Sequence, residues 1–221
     1  MTRRCYVYSE PKRARWGRDA IQTLELSTDP VCSSPACGTP VVDARSGVHL
    51  DRMRVFGIDC GTEVTGFGVV DSGEGPRDEP LQFRAMGAIR LPKSHALPNR
   101  LDQVFNELTA ELERWRPDAV AIEEVFYSVN AKSALKLGQV RGVALLAAAR
   151  QGIPLAEYAP LKIKSSVVGY GLAKKEQVQF MVARLLGLAE LPQPSDAADA
   201  LAIAICHIHT AQTLALQGIG R

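Results

Sequence analysis

The 221-residue sequence is 46% hydrophobic and 23% charged, with 26 Lys and Arg against 24 Asp and Glu for a formal net charge of +2, enough apolar material for one ordinary domain plus an extra segment. No stretch of about 18 consecutive apolar residues occurs, and the Arg-rich N-terminus has no apolar signal core, so a soluble, cytoplasmic protein without a membrane partner is expected. The five cysteines are odd in number and scattered, which excludes a disulfide scaffold and suits a reducing compartment; Cys32 and Cys37 have no second Cys or His pair nearby and are assigned no zinc.

Residues 1–52 show many breakers and no sustained period. They lack the contiguous apolar surface needed to offset chain entropy and are expected to be a poorly ordered extension. Met53, standing directly before the first strand-like run, suggests an alternative translation start. From there the apolar runs Val55–Ile58, Phe67–Val70 and Phe83–Leu91, separated by Gly-rich turns, predict three strands in hairpin order. Leu101, Val104, Phe105, Leu108 and Leu112 recur at helical spacing within Leu97–Arg116, and Pro117 stops that helix. A short buried strand, Ala119–Ile122, ends at Glu123; a helix (about Ala131–Gln151, closed by Gly152), a strand (Leu155–Tyr158), a basic helical stretch, a helix (about Lys175–Leu186) and a final helix (about Asp196–Thr213) follow. Three hairpin strands followed by alternating helices and strands predict an α/β protein: a mixed five-stranded sheet with helices on both faces, spanning residues 53–213, with a flexible tail at 214–221.

Charge is unevenly spread. Between Asn130 and Lys175 lie eight basic residues against the single acid Glu157, a segment that could bind a polyanion or equally form the solvated faces of ordinary helices.

The carboxylates say more. Asp59 terminates the strand VFGID and Glu123 the strand AVAIE, and a carboxylate beside a hydrophobic strand is costly to desolvate without compensating charge. Neighbouring strands would bring both to the carboxyl edge, where open α/β sheets bind ligands. In PSDAADALAIAI, Ser195 reads as an N-cap, placing Asp196 and Asp199 in the first turn on one face. Each acid has an ordinary alternative: capping for the helical pair, a turn residue for Asp59. Together, four carboxylates on three elements, with small Ala197, Ala198 and Ala200 leaving room around them, form a hard oxygen set suited to two Mg²⁺ ions, with Mn²⁺ able to substitute, and to phosphodiester hydrolysis.

The segments RVFGIDCGTEVTGFGVV, PDAVAIEEVFYSVNAKSALKLGQVRG, EYAPLKIKSSVVGYGLAKKEQVQFMV and PSDAADALAIAICH resemble, in order and spacing, the RuvC family of crossover junction endodeoxyribonucleases, from Met53 to about Ala211. The resemblance implies a ribonuclease H-like fold and a homodimer that cuts four-way (Holliday) DNA junctions symmetrically with divalent metal, in partnership with the RuvA and RuvB branch-migration proteins. It implies that Asp59, Glu123, Asp196 and Asp199 are the metal ligands, that Lys164 and Lys175 are the lysines beside the scissile phosphate, and that Phe126 probes unstacked bases. Asn130, Lys132 and Ser133 share Phe126's connection and could contact backbone phosphates, although Asn130 and Ser133 could equally cap a helix. Without the family, Phe126 would read as a core side chain.

The residues are also compatible with three other kinds of protein. GIDCGT resembles the first phosphate loop of actin-like ATPases and sugar kinases, but the chain beyond Met53 is short for two lobes. A non-catalytic junction binder would have no use for four acids facing a polyanion. A ribonuclease H-like RNA-processing nuclease would share the chemistry.

Overall fold

A computed structural model describes residues 52–73, 80–124 and 131–218, the side chains of Ala131 and Lys132 excepted. The expected extension before Arg52, together with Phe126 and Asn130, lies outside the described residues.

Five strands, β1 (Arg54–Asp59), β2 (Val64–Asp71), β3 (Gln82–Arg90), β4 (Ala119–Glu123) and β5 (Leu155–Tyr158), form one sheet in the order β3-β2-β1-β4-β5. The first three are antiparallel neighbours, and β4 and β5 run parallel to β1. Side chains of a strand alternate between faces. Phe56, Ile58, Val69, Val120 and Ile122 accordingly pack against α1 (Leu97–Trp115) and α2 (Ala131–Arg150). Val55 and Ala121 point the other way, into a core shared with α3 (Pro160–Val168), α4 (Lys175–Leu185) and α5 (Ser195–Leu216). The predicted mixed sheet covered on both faces is what forms.

The helix α5 sets the geometry of the second face. It lies so close to β1 and β2 that a Cβ at Gly57 would sit 2.0 Å from the Ala200 carbonyl oxygen, and one at Gly66 2.1 Å from that of Asp196. Only glycine permits that approach. It also explains why β2 begins at Val64 and not at Phe67, as the sequence suggests: Gly66 reads as a turn signal but is an in-strand seat for the helix. Among the described residues α5 is the one helix long and apolar enough to cross a bilayer, and packing accounts for that composition, since Ala197, Ala198 and the run from Ala200 to Cys206 are buried.

Helix boundaries differ from the reading at two points. The helix α5 runs to Leu216, beyond the expected end at Thr213. Ser195 is not the cap: it opens the helix, Pro194 precedes it without a side-chain capping bond, and the Ser195 hydroxyl donates to the Asp196 carboxylate at 3.4 Å. Asp196 therefore falls in the first turn and Asp199 in the second. The α1 stop is as expected, with Arg116 in the left-handed region (φ 44°) immediately before Pro117.

At the opposite end of β1 stands a charge cluster that the sequence did not disclose. Asp71, fully buried, takes ion pairs from Arg52 (2.5 Å), Arg54 (2.8 Å) and Arg84 (2.7 Å). Arg54 and Asp71 are register partners across β1 and β2, so the pairing becomes legible only once the register is known. Arg52, counted above as the last residue of the extension, belongs to the folded domain.

Candidate active site

The parallel pairing of β1 with β4 aligns Ile58 with Ile122, so Asp59 and Glu123, each one residue further, emerge together at the carboxyl edge on the α5 side. Gly66 is the register partner of Asp59, and the Asp196 backbone rests on Gly66. The glycine seat thus brings the start of α5, and with it the helical acids, to the strand acids. Asp59, Glu123 and Asp199 line one pocket with Lys164 of α3 and Lys175 of α4, over a floor that includes Ile163, Val178 and Ile203. Asp196 is half-buried and does not line that pocket, though its charge is felt at Asp59.

The electrostatics are those of a site short of positive charge. Burial, then the negative charges of Asp199, Glu123 and Asp196, push the Asp59 carboxyl up to about 7, against the opposing pull of Lys175. Burial and Asp199 raise Glu123 as well, while Lys164 and Lys175 work against the rise. Burial disfavours the Lys175 ammonium, but its hydrogen bond to Asp199 (2.6 Å) and the charges of Asp199, Asp196 and Asp59 outweigh that and raise it. Crowded carboxylates of this kind are relieved by protons or cations, and an all-oxygen donor set suits hard divalent ions. As they stand, no three His, Cys, Asp or Glu side chains among the described residues are gathered closely enough to hold an ion. The Lys175–Asp199 pair meets part of the charge demand within the chain itself.

Burial, then the adjacent acids, push the thiol of Cys60, next to Asp59, up to about 12, which favours its protonated form. Sequence reasoning missed Arg141. Its guanidinium donates to the Glu123 carbonyl (3.2 Å) and pairs with the Glu157 carboxylate, tying α2 to the ends of β4 and β5. The one acid of the basic segment is thereby spent on one of its cations, which a charge count along the chain cannot reveal. Tyr158, the register partner of Glu123, reaches His207 Nδ1 of α5 at 2.8 Å and ties the strand end from the other side. Lys136, Lys174 and Ser133 are exposed, and the side chain of Lys132 lies outside the described residues.

A mixed five-stranded sheet of this order, with carboxylates converging where two central parallel strands end, defines a ribonuclease H-like protein. The sequence model described as crossover junction endodeoxyribonuclease RuvC matches residues 55–207, and the chain belongs to that family. Crossover junction endodeoxyribonuclease RuvC of Acidobacterium capsulatum is 66% identical over 168 residues, covering 75% of this chain and 98% of that protein. The Koribacter versatilis protein of the same name is 58% identical over 162 residues, covering 73% and 96%. The structure of Thermus thermophilus RuvC superposes with a TM-score of 0.67 at 37% identity, covering 73% of this chain and 96% of that one. The Thermus thermophilus RuvC complex with Holliday junction substrate superposes at 0.68 with 35% identity and the same coverage. Family membership removes the ATPase and sugar-kinase alternative.

Proposed function

We propose that this protein resolves four-way DNA junctions during recombination and repair by paired, metal-dependent phosphodiester hydrolysis, with Asp59, Glu123, Asp196 and Asp199 as the acids that hold two Mg²⁺ ions per subunit, Mn²⁺ being able to replace them. The observation that carries the reading is the single pocket shared by Asp59, Glu123, Asp199, Lys164 and Lys175, drawn from five elements. Divalent ions bound there would activate a water and stabilise the leaving oxygen. The chain's own groups do the rest. Lys175, which pairs with Asp199, and Lys164 present positive charge to the scissile phosphate and to the charge that develops on it. Phe126 stacks on an opened base, and Asn130, Lys132 and Ser133 take neighbouring phosphates. By family the protein works in the cytoplasm with RuvA and RuvB, and the residues before Met53, which have no counterpart in the family pattern, should be dispensable for cutting.

Purified protein incubated with Mg²⁺ and a synthetic four-way junction, a linear duplex and a structured RNA is the direct test. Paired nicks confined to the junction are expected, and cutting of the RNA instead would turn the reading to RNA processing. Glu123→Gln and Asp196→Asn should each abolish cutting while junction binding in Ca²⁺ survives, because ligand charge is lost and basic surface is not. Full turnover by either variant removes that residue from the metal site.

A homodimer follows from paired cutting, and α2 offers a face for it. Leu135 and Leu146 are 70% and 51% exposed on one stripe of that helix; Gly138 and Gly142 lie between them, and a Cβ on either would meet nothing within 4 Å. Such a stripe lets a second helix approach closely. Sedimentation of a Leu135→Glu/Leu146→Glu variant should show monomers that fold normally and no longer make paired cuts, whereas an intact dimer would place the interface elsewhere.

A further inference from the structure

The connection between α3 and α4 carries apolar surface that the fold does not bury. Leu172 is 86% exposed and Tyr170 47%, and Leu161 of α3, 59% exposed, lies against Gly171. A single exposed leucine is ordinary; the way this loop is held, and its position, are not. Gly169 closes α3 in the left-handed region (φ 95°), its N–H donating to the Ser165 carbonyl at 2.9 Å. The Tyr170 hydroxyl donates to Gln177 Oε1 at 2.9 Å, the same oxygen that accepts the Lys174 backbone N–H at the start of α4, also at 2.9 Å. The loop is therefore built onto both helices.

Those two helices are the ones that supply the pocket lysines, Lys164 from α3 and Lys175 from α4. Lys175 opens α4 directly after this loop, so the chain passes from the apolar tip to a pocket residue within three positions of Leu172. Exposed Lys174 stands at the loop's α4 end, with Glu176 the nearby acid on α4. A protein partner would seek a broad apolar patch, whereas an apolar loop tip beside a lysine, followed directly by a pocket lysine, matches a polynucleotide, which offers sugar and base faces between phosphates.

We propose that this loop is a second contact for the strand entering the pocket: Tyr170 and Leu172 rest on its sugar and base faces while Lys174 takes a flanking phosphate. This rests on the junction-nuclease reading above. Apolar contacts release no counterions, so their loss weakens binding by the same factor at every salt concentration, whereas loss of a phosphate contact also flattens the salt dependence. Binding of a four-way junction in Ca²⁺ over a series of salt concentrations separates the two.

For Tyr170→Ala/Leu172→Ser the expected result is about tenfold weaker binding with an unchanged salt slope, and for Lys174→Ala a slope shallower by about one. A fluorescent base placed beside the cut should lose its quenching with Tyr170→Ala and keep it with Tyr170→Phe, which retains the ring. Unchanged affinity in a double variant that melts like the wild type would overturn the proposal. So would a shift from dimer to monomer, which would assign the tip to a second copy of the chain. Failure of the wild-type protein to prefer a junction over linear duplex would instead overturn the functional reading itself.

Discussion

Replacing Asp59 by Asn should abolish junction cleavage and at the same time raise the melting temperature of the protein in EDTA. Asp59 sits at the end of β1 beside Glu123 and against the start of α5, and burial together with three neighbouring acids holds its carboxyl at about 7, up from 3.8. A carboxyl raised in the folded state stabilises the fold fully below its unfolded value, and that stability is lost as pH rises through about 7. At pH 8 the wild type bears the whole penalty, at most about 4 kcal/mol; Asn bears none. The gain should amount to several degrees at pH 8 and vanish towards pH 4. Added Mg²⁺ should raise the wild-type midpoint by relieving the same repulsion, and the Asn variant's much less. Melting curves in EDTA and in Mg²⁺ across this pH range read all of these effects. A variant that melts below the wild type at pH 8 would show that Asp59 is held by contacts that outweigh its charge.

Asp71→Ala should cost about 2–4 kcal/mol, because it leaves three guanidinium groups facing one another without their shared counter-ion. Asp71 is fully buried, and Arg52, Arg54 and Arg84 converge on it from β1, from β3 and from the residue pair preceding β1. The thermal midpoint should fall by roughly 5–15 °C for a domain of this size, with cleavage at low temperature retained. A milder version of the same loss follows from starting the chain at Met53. That truncation removes Arg52 and places a charged amine on the nitrogen that now donates to Ser72 Oγ at 2.8 Å, yet Asp71 keeps Arg54 and Arg84. The truncated protein should fold and cut, with a stability lower by about 1 kcal/mol. Equal melting of the full and truncated chains would mean that Arg52 gains nothing net from its pairing.

The strands, the helices and the acids at the strand ends were legible because each is a local pattern: alternation or helical spacing in the apolar residues, and a carboxylate where the apolar run stops. Asp59 and Glu123 could be paired in advance because two adjacent parallel strands leave little choice about where their ends lie. Pairings that depend on register or on packing between distant elements were not legible. Arg54 with Asp71, Arg141 with Glu157 and Tyr158 with His207 are separated by 17, 16 and 49 positions, and nothing in the intervening sequence marks one partner for the other. Gly66 misled for a related reason: its value lies in what it lacks, a side chain in the path of α5, and a missing group reads locally as a turn. The same holds for Ser195, whose capping chemistry is right for the position before a helix but which lies inside the first turn, turned to Asp196.

The glycine seat beneath α5 also divides the site by how freely it can be retuned. Asp59, Glu123, Asp196 and Asp199 belong to strands and a helix whose backbones touch at Gly57 and Gly66, so a single added methyl group there would lift the helix and carry both of its acids away from the strand acids at once. The spacing of the carboxylates is a fixed dimension of the protein, with no tolerance for gradual adjustment. Lys164 and Lys175 reach the same pocket from α3 and α4, which meet α5 through side chains such as Ile163, Val178 and Val182. Substitutions beneath those helices could move the lysines by fractions of an ångström without disturbing the acids. A search for variants with altered turnover or altered preference around the cut should therefore draw its successes from α3, α4 and the loop that joins them, and find almost none in β1, β2 or the first two turns of α5.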